Sequence, residues 1–209
     1  MPMTSLRPFL APVAPLALAA LVAVAQPAAA EKIPLAVISQ YLNSLTTAEA
    51  GFTQTNADGS VSEGRLLIKR PGRARFEYAP PETTLVLAGS GQVAIFDGKS
   101  NQPPAQYPLS RTPLTLILAE RIDLGQAKMV VGHREVQDTT RVVAQDPAHP
   151  EIGTIELVFT ASPVALRQWI ITDETGSRTT VTLGPLRQGA DLPNGLFNIQ
   201  SEIATRSDR

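Results

Sequence analysis

The sequence predicts a mainly β protein with some α: a strongly curved antiparallel sheet, or incomplete antiparallel β-barrel, whose concave side is covered by short helices. Three observations lead there. From residue 51 onward most apolar residues recur with a period of two. Turn pairs such as Asp58-Gly59, Asp97-Gly98 and Asp146-Pro147 separate the runs at short intervals. Only short stretches read as helix, and one long sheet with so few helices encloses a core most economically by curving around them.

The first thirty residues, "MPMTSLRPFLAPVAPLALAALVAVAQPAAA", stand apart. Arg7 precedes an apolar run from Phe9 to Ala25, and Ala28-Ala29-Ala30 supplies small residues at its end. This is the pattern of a secretory signal, cut after Ala30. Pro8, Pro12 and Pro15 argue against a retained anchor. Residues 1–30 are therefore expected to be a cleaved signal peptide and residues 31–209 one exported domain.

Composition narrows the chemistry. A net charge of −1 gives no overall field for nucleic acid. Without cysteine there are no disulfides, thiolate ligands or thiol nucleophiles. The two histidines, His133 and His149, lie well apart, so no histidine metal site and no cofactor is expected.

The domain opens with "IPLAVISQYLNSL". Pro34 suits a first helical position. Val37, Ile38, Tyr41, Leu42 and Leu45 form one apolar stripe, with Ser39, Gln40, Asn43 and Ser44 on the other side. Residues 51–109 then read as a meander of strands. In "RARFEY", Ala74, Phe76 and Tyr78 take one face, and Arg73, Arg75 and Glu77 take the other. "TTLVLA" and "QVAIFD" flank a turn at Gly89-Ser90-Gly91.

"RTPLTLILAER" interrupts the strands. Thr112 can cap a helix and Pro113 can open it. Leu114, Leu116, Ile117 and Leu118 crowd two turns, more apolar surface than one packing face needs. Five strands follow: "MVVGHREV", "TRVVAQD", "GTIELVFT", "ALRQWIITD" and "SRTTVTLGPL". Ile155, Leu157 and Phe159 share a face. The only tryptophan, Trp169, reads equally as core or as cavity lining, because its neighbours alternate ambiguously. "LPNGLFNI" reads as a turn with a short strand or helix, and the polar "SEIATRSDR" is expected to fray.

Enzymatic signatures are missing. "AGSG" lies between strands and lacks the lysine and hydroxyl of a phosphate loop. No G-x-S-x-G elbow occurs. His133, Glu135 and Asp138 fit a polar strand face better than a general base with its orienting acid. "DGK" at 97–99 fits a solvated turn. The protein is not expected to be an enzyme.

The basic stretch "KRPGRAR" at 69–75 divides by position. Arg73 and Arg75 are read as a solvated face, away from the aromatic residues that a nucleic-acid surface would need beside them. Arg70 precedes Pro71 at the end of the strand, where its guanidinium can reach backbone carbonyls elsewhere.

An ordered set of motifs resembles the LolA family of periplasmic carriers that move lipoproteins to the outer membrane: "FTQ" at 52–54, "GRLLIKRP" at 64–71, "RFEYAPP" at 75–81, "LV" at 85–86, "TPLTLIL" at 112–118 and "PNGLFNI" near the end. The resemblance implies helices forming a lid over an apolar cavity that takes acyl chains. It implies cavity-lining roles for Ala74, Phe76, Tyr78, Leu114, Ile117 and Leu118, leaves Trp169 a lining candidate beside its core reading, and makes Arg70 the latch that holds the lid. It implies lipoprotein cargo, a LolCDE-type inner-membrane complex as donor and a LolB-type acceptor where one exists, with the protein a periplasmic monomer that binds no nucleic acid. Phe76 stands where the family often has tryptophan, and "AGSGQ" replaces a more usual "DG" turn. The competing reading is a binding protein of the same fold for another amphiphile, a glycolipid or hopanoid, or a lipoprotein sensor.

Overall fold

A computed structural model describes residues 31–100, 102–125 and 128–207. The expected signal peptide, residues 1–30, lies outside the described residues.

Helix α1 spans Leu35–Ser44. Six strands follow: β1 Thr47–Thr55, β2 Val61–Lys69, β3 Arg73–Tyr78, β4 Leu85–Gly89, β5 Gln92–Phe96 and β6 Ala105–Pro108. A 3-10 turn at Leu109–Arg111 leads into α2, Thr115–Leu118. The second run comprises β7 Val130–Val136, β8 Thr139–Gln145, β9 Thr154–Ala161, β10 Val164–Thr172, β11 Arg178–Leu183 and the two-residue β12, Arg187–Gln188. A 3-10 turn at Asn194–Phe197 and α3, Ile199–Ser207, close the chain. No helix among the described residues is long and apolar enough to cross a membrane.

All twelve strands form one antiparallel sheet in the order β6-β5-β4-β3-β2-β1-β11-β10-β9-β8-β7, with β12 continuing beside β1. β6 and β7 are consecutive in sequence but occupy opposite edges, so the sheet is an unclosed barrel. The turn at Ser90-Gly91 has positive φ at both residues (49° and 75°), the two-residue hairpin geometry that matches strand twist.

The sheet buries apolar side chains on both faces. The concave face joins α1 and α2 in one cluster containing Ile38, Leu42, Phe52, Phe76, Ile117, Leu118, Leu157, Phe159 and Trp169. A second cluster lies on the convex side, where Leu67, Leu85, Leu87, Ala94 and Phe96 meet Leu192, Phe197 and Ile199 of the C-terminal segment.

That second cluster corrects two expectations. Residues 201–207 do not fray; they continue α3. Arg75 does not lie in open solvent, and Arg73 is half-buried at the edge of the same cover. Arg75 donates to Glu77 (2.7 Å), to the Leu196 carbonyl (3.1 Å) and to Glu202 (3.1 Å), and Arg73 donates to Asn194 Oδ1 at 3.0 Å. The reason lies in β4 and β5. Their "LVLA" and "VAIF" runs are apolar on both faces, and the outward half needs a cover.

The helices also depart from expectation. Pro34 precedes α1 instead of opening it, and Val37 is 40% exposed. Ser39, expected opposite the buried stripe, is itself buried. α2 is a four-residue turn, and the Thr112 hydroxyl donates back to the Leu109 carbonyl (2.9 Å) instead of capping it.

Candidate functional site

The chain between the two sheet edges crosses the concave face, and its polar contacts trace the path. Leu109 N–H donates to the Gly91 carbonyl at the β4–β5 turn. The Leu118 carbonyl accepts from Gly72 N–H at the β2–β3 turn (2.8 Å). Ile122 and Leu124 meet α1. The Met129 carbonyl accepts from Gln145 N–H at the end of β8.

Arg70 lies at the centre of this crossing. It follows β2 directly, and its N–H donates to the Thr46 carbonyl at 2.8 Å, which holds the residue beside the end of α1. Its guanidinium donates to the Ala119 carbonyl through Nε (3.0 Å) and Nη2 (2.6 Å) and to the Glu120 carbonyl through Nη2 (3.3 Å). On the α1 side it donates to the Leu42 carbonyl and to Asn43 Oδ1 (3.2 Å). Leu42 O lies at the negative pole of the helix, where it also accepts from Leu45 N–H (3.3 Å). The acceptors are uncharged, and burial lowers the guanidinium below its ordinary pKa, although it stays protonated.

Two polar residues of α1, one turn apart, bind the same crossing segment. Asn43 Nδ2 donates to the Ile122 carbonyl (2.7 Å), and Asn43 Oδ1 accepts from Ile122 N–H (3.0 Å). Ser39 Oγ accepts from Leu124 N–H (2.9 Å) and donates to the Leu35 carbonyl (2.8 Å). α1 is fixed to the far half of the sheet by Tyr41. Its hydroxyl accepts from Leu166 N–H (3.1 Å), its ring meets Phe159 edge-on, and burial raises its pKa.

The seven apolar candidates converge on one interior. Ala74, Phe76, Ile117, Leu118 and Trp169 are buried within the concave cluster, and Tyr78 and Leu114 pack against it, half-buried. Trp169, 1% exposed, meets Phe76 edge-to-face at 6.2 Å. Side chains of α1 and α2, among them Ile38, Leu42, Ile117 and Leu118, pack into the concave interior expected to lie beneath a lid. Tyr78 donates its hydroxyl to Gln54 Oε1 (2.6 Å), and burial raises its pKa. A cleft of about 720 Å3, lined by Gly51, Phe52, Glu63, Gly64, Arg65 and Thr182, opens on the other face of the sheet, behind the Phe52 ring.

His133 Nε2 lies 2.9 Å from the Ile33 carbonyl while Glu135 is exposed, and Asp97 accepts from Lys99 N–H (2.8 Å) within its own turn. Pattern reading missed Ser39, Asn43 and Phe52. The first two share one side of a helix at i and i+4, and that spacing is the signal for a common polar partner.

Comparison with known proteins places this geometry. Residues 43–200 match the family described as outer membrane lipoprotein carrier protein LolA. An outer-membrane lipoprotein carrier protein of Methylococcus capsulatus is 24% identical over 176 residues, covering 80% of this chain and 84% of that protein. One from Chromohalobacter salexigens is 26% identical over 188 residues, covering 86% of each. A solved LolA superfamily protein from Nitrosomonas europaea aligns with a TM-score of 0.44 at 11% identity, covering 79% of this chain and 98% of that one. The family match spans most of the chain, from the end of α1 to the start of α3, and the protein belongs to the LolA family of outer-membrane lipoprotein carriers.

Proposed function

We propose that the protein is a non-enzymatic periplasmic carrier that takes up the acyl chains of lipoproteins and moves them from the inner to the outer membrane. The observation that carries this reading is the junction at Arg70, where polar bonds at the rim hold a segment that fills an apolar interior. Acyl burial is worth about 0.8 kcal/mol per methylene, so uptake has ample driving force and release is the harder step. A lid that buries Ile117 and Leu118 in the same interior competes with cargo for that surface. Net affinity is then the difference between acyl burial and lid burial, which keeps transfer reversible. Arg70 serves as the latch of the closed state. Ala74, Phe76, Tyr78, Leu114, Ile117, Leu118 and Trp169 face the cargo. Loading from a LolCDE-type complex and unloading to a LolB-type acceptor, by a monomer, complete the reading.

Native mass spectrometry of the protein purified from its own periplasm tests this. Co-purified acylated lipoprotein supports it; a free glycolipid or hopanoid on the protein replaces it with the other-amphiphile reading.

A further inference from the structure

The registers of β1 to β4 sort the concave side chains into layers, counted inward from Arg70. The first layer is Ala48, Ile68, Ala74 and Ala88, directly opposite one another. The second pairs Ala50 with Leu66, Phe76 and Val86. The third pairs Phe52 with Gly64 and Tyr78, and the fourth holds Gln54 and Ser62. Three alanines beside Ile68 therefore lie nearest the lid, bulky rings lie deeper, and polar groups lie beyond the rings.

The rings form a continuous row. Trp169 meets Phe76 at 6.2 Å, Phe76 meets Phe52 at 5.7 Å, and Phe52 meets Tyr78 at 5.1 Å, each pair edge-to-face. The row runs from β10 to β3 and β1. Its seating depends on Gly64, where a Cβ would lie 2.7 Å from the Phe52 ring and 2.2 Å from the Glu77 carbonyl oxygen. Behind it, Tyr78 is tied to Gln54, and Gln54 Nε2 donates to Asn56 Oδ1 at 2.8 Å. An alkyl chain passing the rings would strip these polar groups of their partners.

We infer that the row Trp169–Phe76–Phe52–Tyr78 is the floor of the cargo site and sets the length of alkyl chain that the protein can bury. The inference rests on the acyl-carrier reading and adds a limit to it. Lid withdrawal frees space over the alanines, where a chain has room to enter. From Ala48 to Phe52 is four residues of strand, about 13 Å at a rise of about 3.3 Å each. Methylenes beyond that depth gain no burial.

Calorimetric titration with saturated fatty acids from octanoate to palmitate tests the floor. With wild type, affinity should rise about fourfold per methylene and then level off. Phe52→Ala should move the levelling point to longer chains by up to about five carbons, one layer being two residues of strand, about 6.6 Å, and Phe52→Leu by fewer. Ala74→Leu fills the space above the floor and should weaken binding of every chain at least tenfold while leaving the levelling point unchanged. Binding with the same levelling point in wild type and both Phe52 variants overturns the floor and leaves the carrier reading intact. Wild type that binds no chain, with its lid freed by Arg70→Leu as well as without, overturns both.

Discussion

One oxygen atom, the carbonyl of Ala119, takes two hydrogen bonds from one side chain, Arg70, through Nε at 3.0 Å and Nη2 at 2.6 Å. A planar fork can serve one oxygen in this way and still reach α1 from its other side; a lysine ammonium has no such geometry. Arg70→Leu should leave the Ala119 and Glu120 carbonyls short of donors, leave Leu42 O with Leu45 N–H alone, and weaken the hold on the crossing segment by about 1–3 kcal/mol. Arg70→Lys should recover only part of this. Hydrogen exchange across residues 115–124 should accelerate while the strand cores stay protected. Uniform acceleration throughout would mean that Arg70 supports the whole fold and not the lid.

Asn43 holds the crossing segment from the opposite side. Asn43→Ala removes both bonds to Ile122 together with the contact to Arg70 Nη2, and should cost about 1–3 kcal/mol. Asn43→Asp keeps the acceptor and gains attraction to Arg70, but turns a carboxylate oxygen toward the Ile122 carbonyl. Exchange at the Ile122 amide should rise strongly in the alanine variant and less in the aspartate variant. Equal rates in the two variants would remove Asn43 Oδ1 from the account.

Acid should loosen the convex side first. Burial tends to raise the Glu202 pKa, but hydrogen bonds from Arg206 and Arg75 outweigh it and hold the carboxyl below its ordinary value. A carboxylate lowered on folding stabilises the protein above its unfolded value, about 4.3, and that contribution is lost as pH falls through the lower folded value. Glu202→Gln should therefore flatten the fall in thermal midpoint between about pH 5 and pH 3. An unchanged slope would show that this carboxylate does not couple to stability.

Gly89 sits beneath the C-terminal turn. A Cβ there would lie 2.2 Å from the Phe197 carbonyl oxygen, which is backbone and has little room to yield. Gly89→Ala should push the 194–197 turn off β4 and cost about 1–3 kcal/mol in urea unfolding. It should also expose Phe197 and Ile199, seen as faster proteolysis near the C-terminus. Wild-type stability in this variant would mean the turn has more freedom than the packing suggests.

The strand pattern was readable because many of the strands, such as β3 and β8, alternate between a buried and a more exposed face, which repeats every two residues. Ala74, Phe76 and Tyr78 could be assigned to one side from "RARFEY" alone. The other side of the same strand could not. Whether Arg75 meets water or Glu202 depends on a segment more than a hundred residues away, and an arginine reads the same in both places. Ser39 and Asn43 fail for a related reason. On a helix with one apolar stripe, a polar residue that bonds a neighbouring loop has the identity of a solvated one. Trp169 was undecided because a bulge between Leu166 and Gln168 shifts the alternation of β10. Arg70 was legible because it stands at a strand end before a proline, outside the alternation.

The order of the sheet has a mechanical corollary. The segment between Pro108 and Val130 leaves one border of the sheet and rejoins the chain at the other. It has no loose end. A flap hinged on one side could swing clear of the interior, but a strap anchored at both borders can only slacken or be drawn tight. A guest that spread the two borders would pull on the same segment that Arg70 and Asn43 hold near its middle.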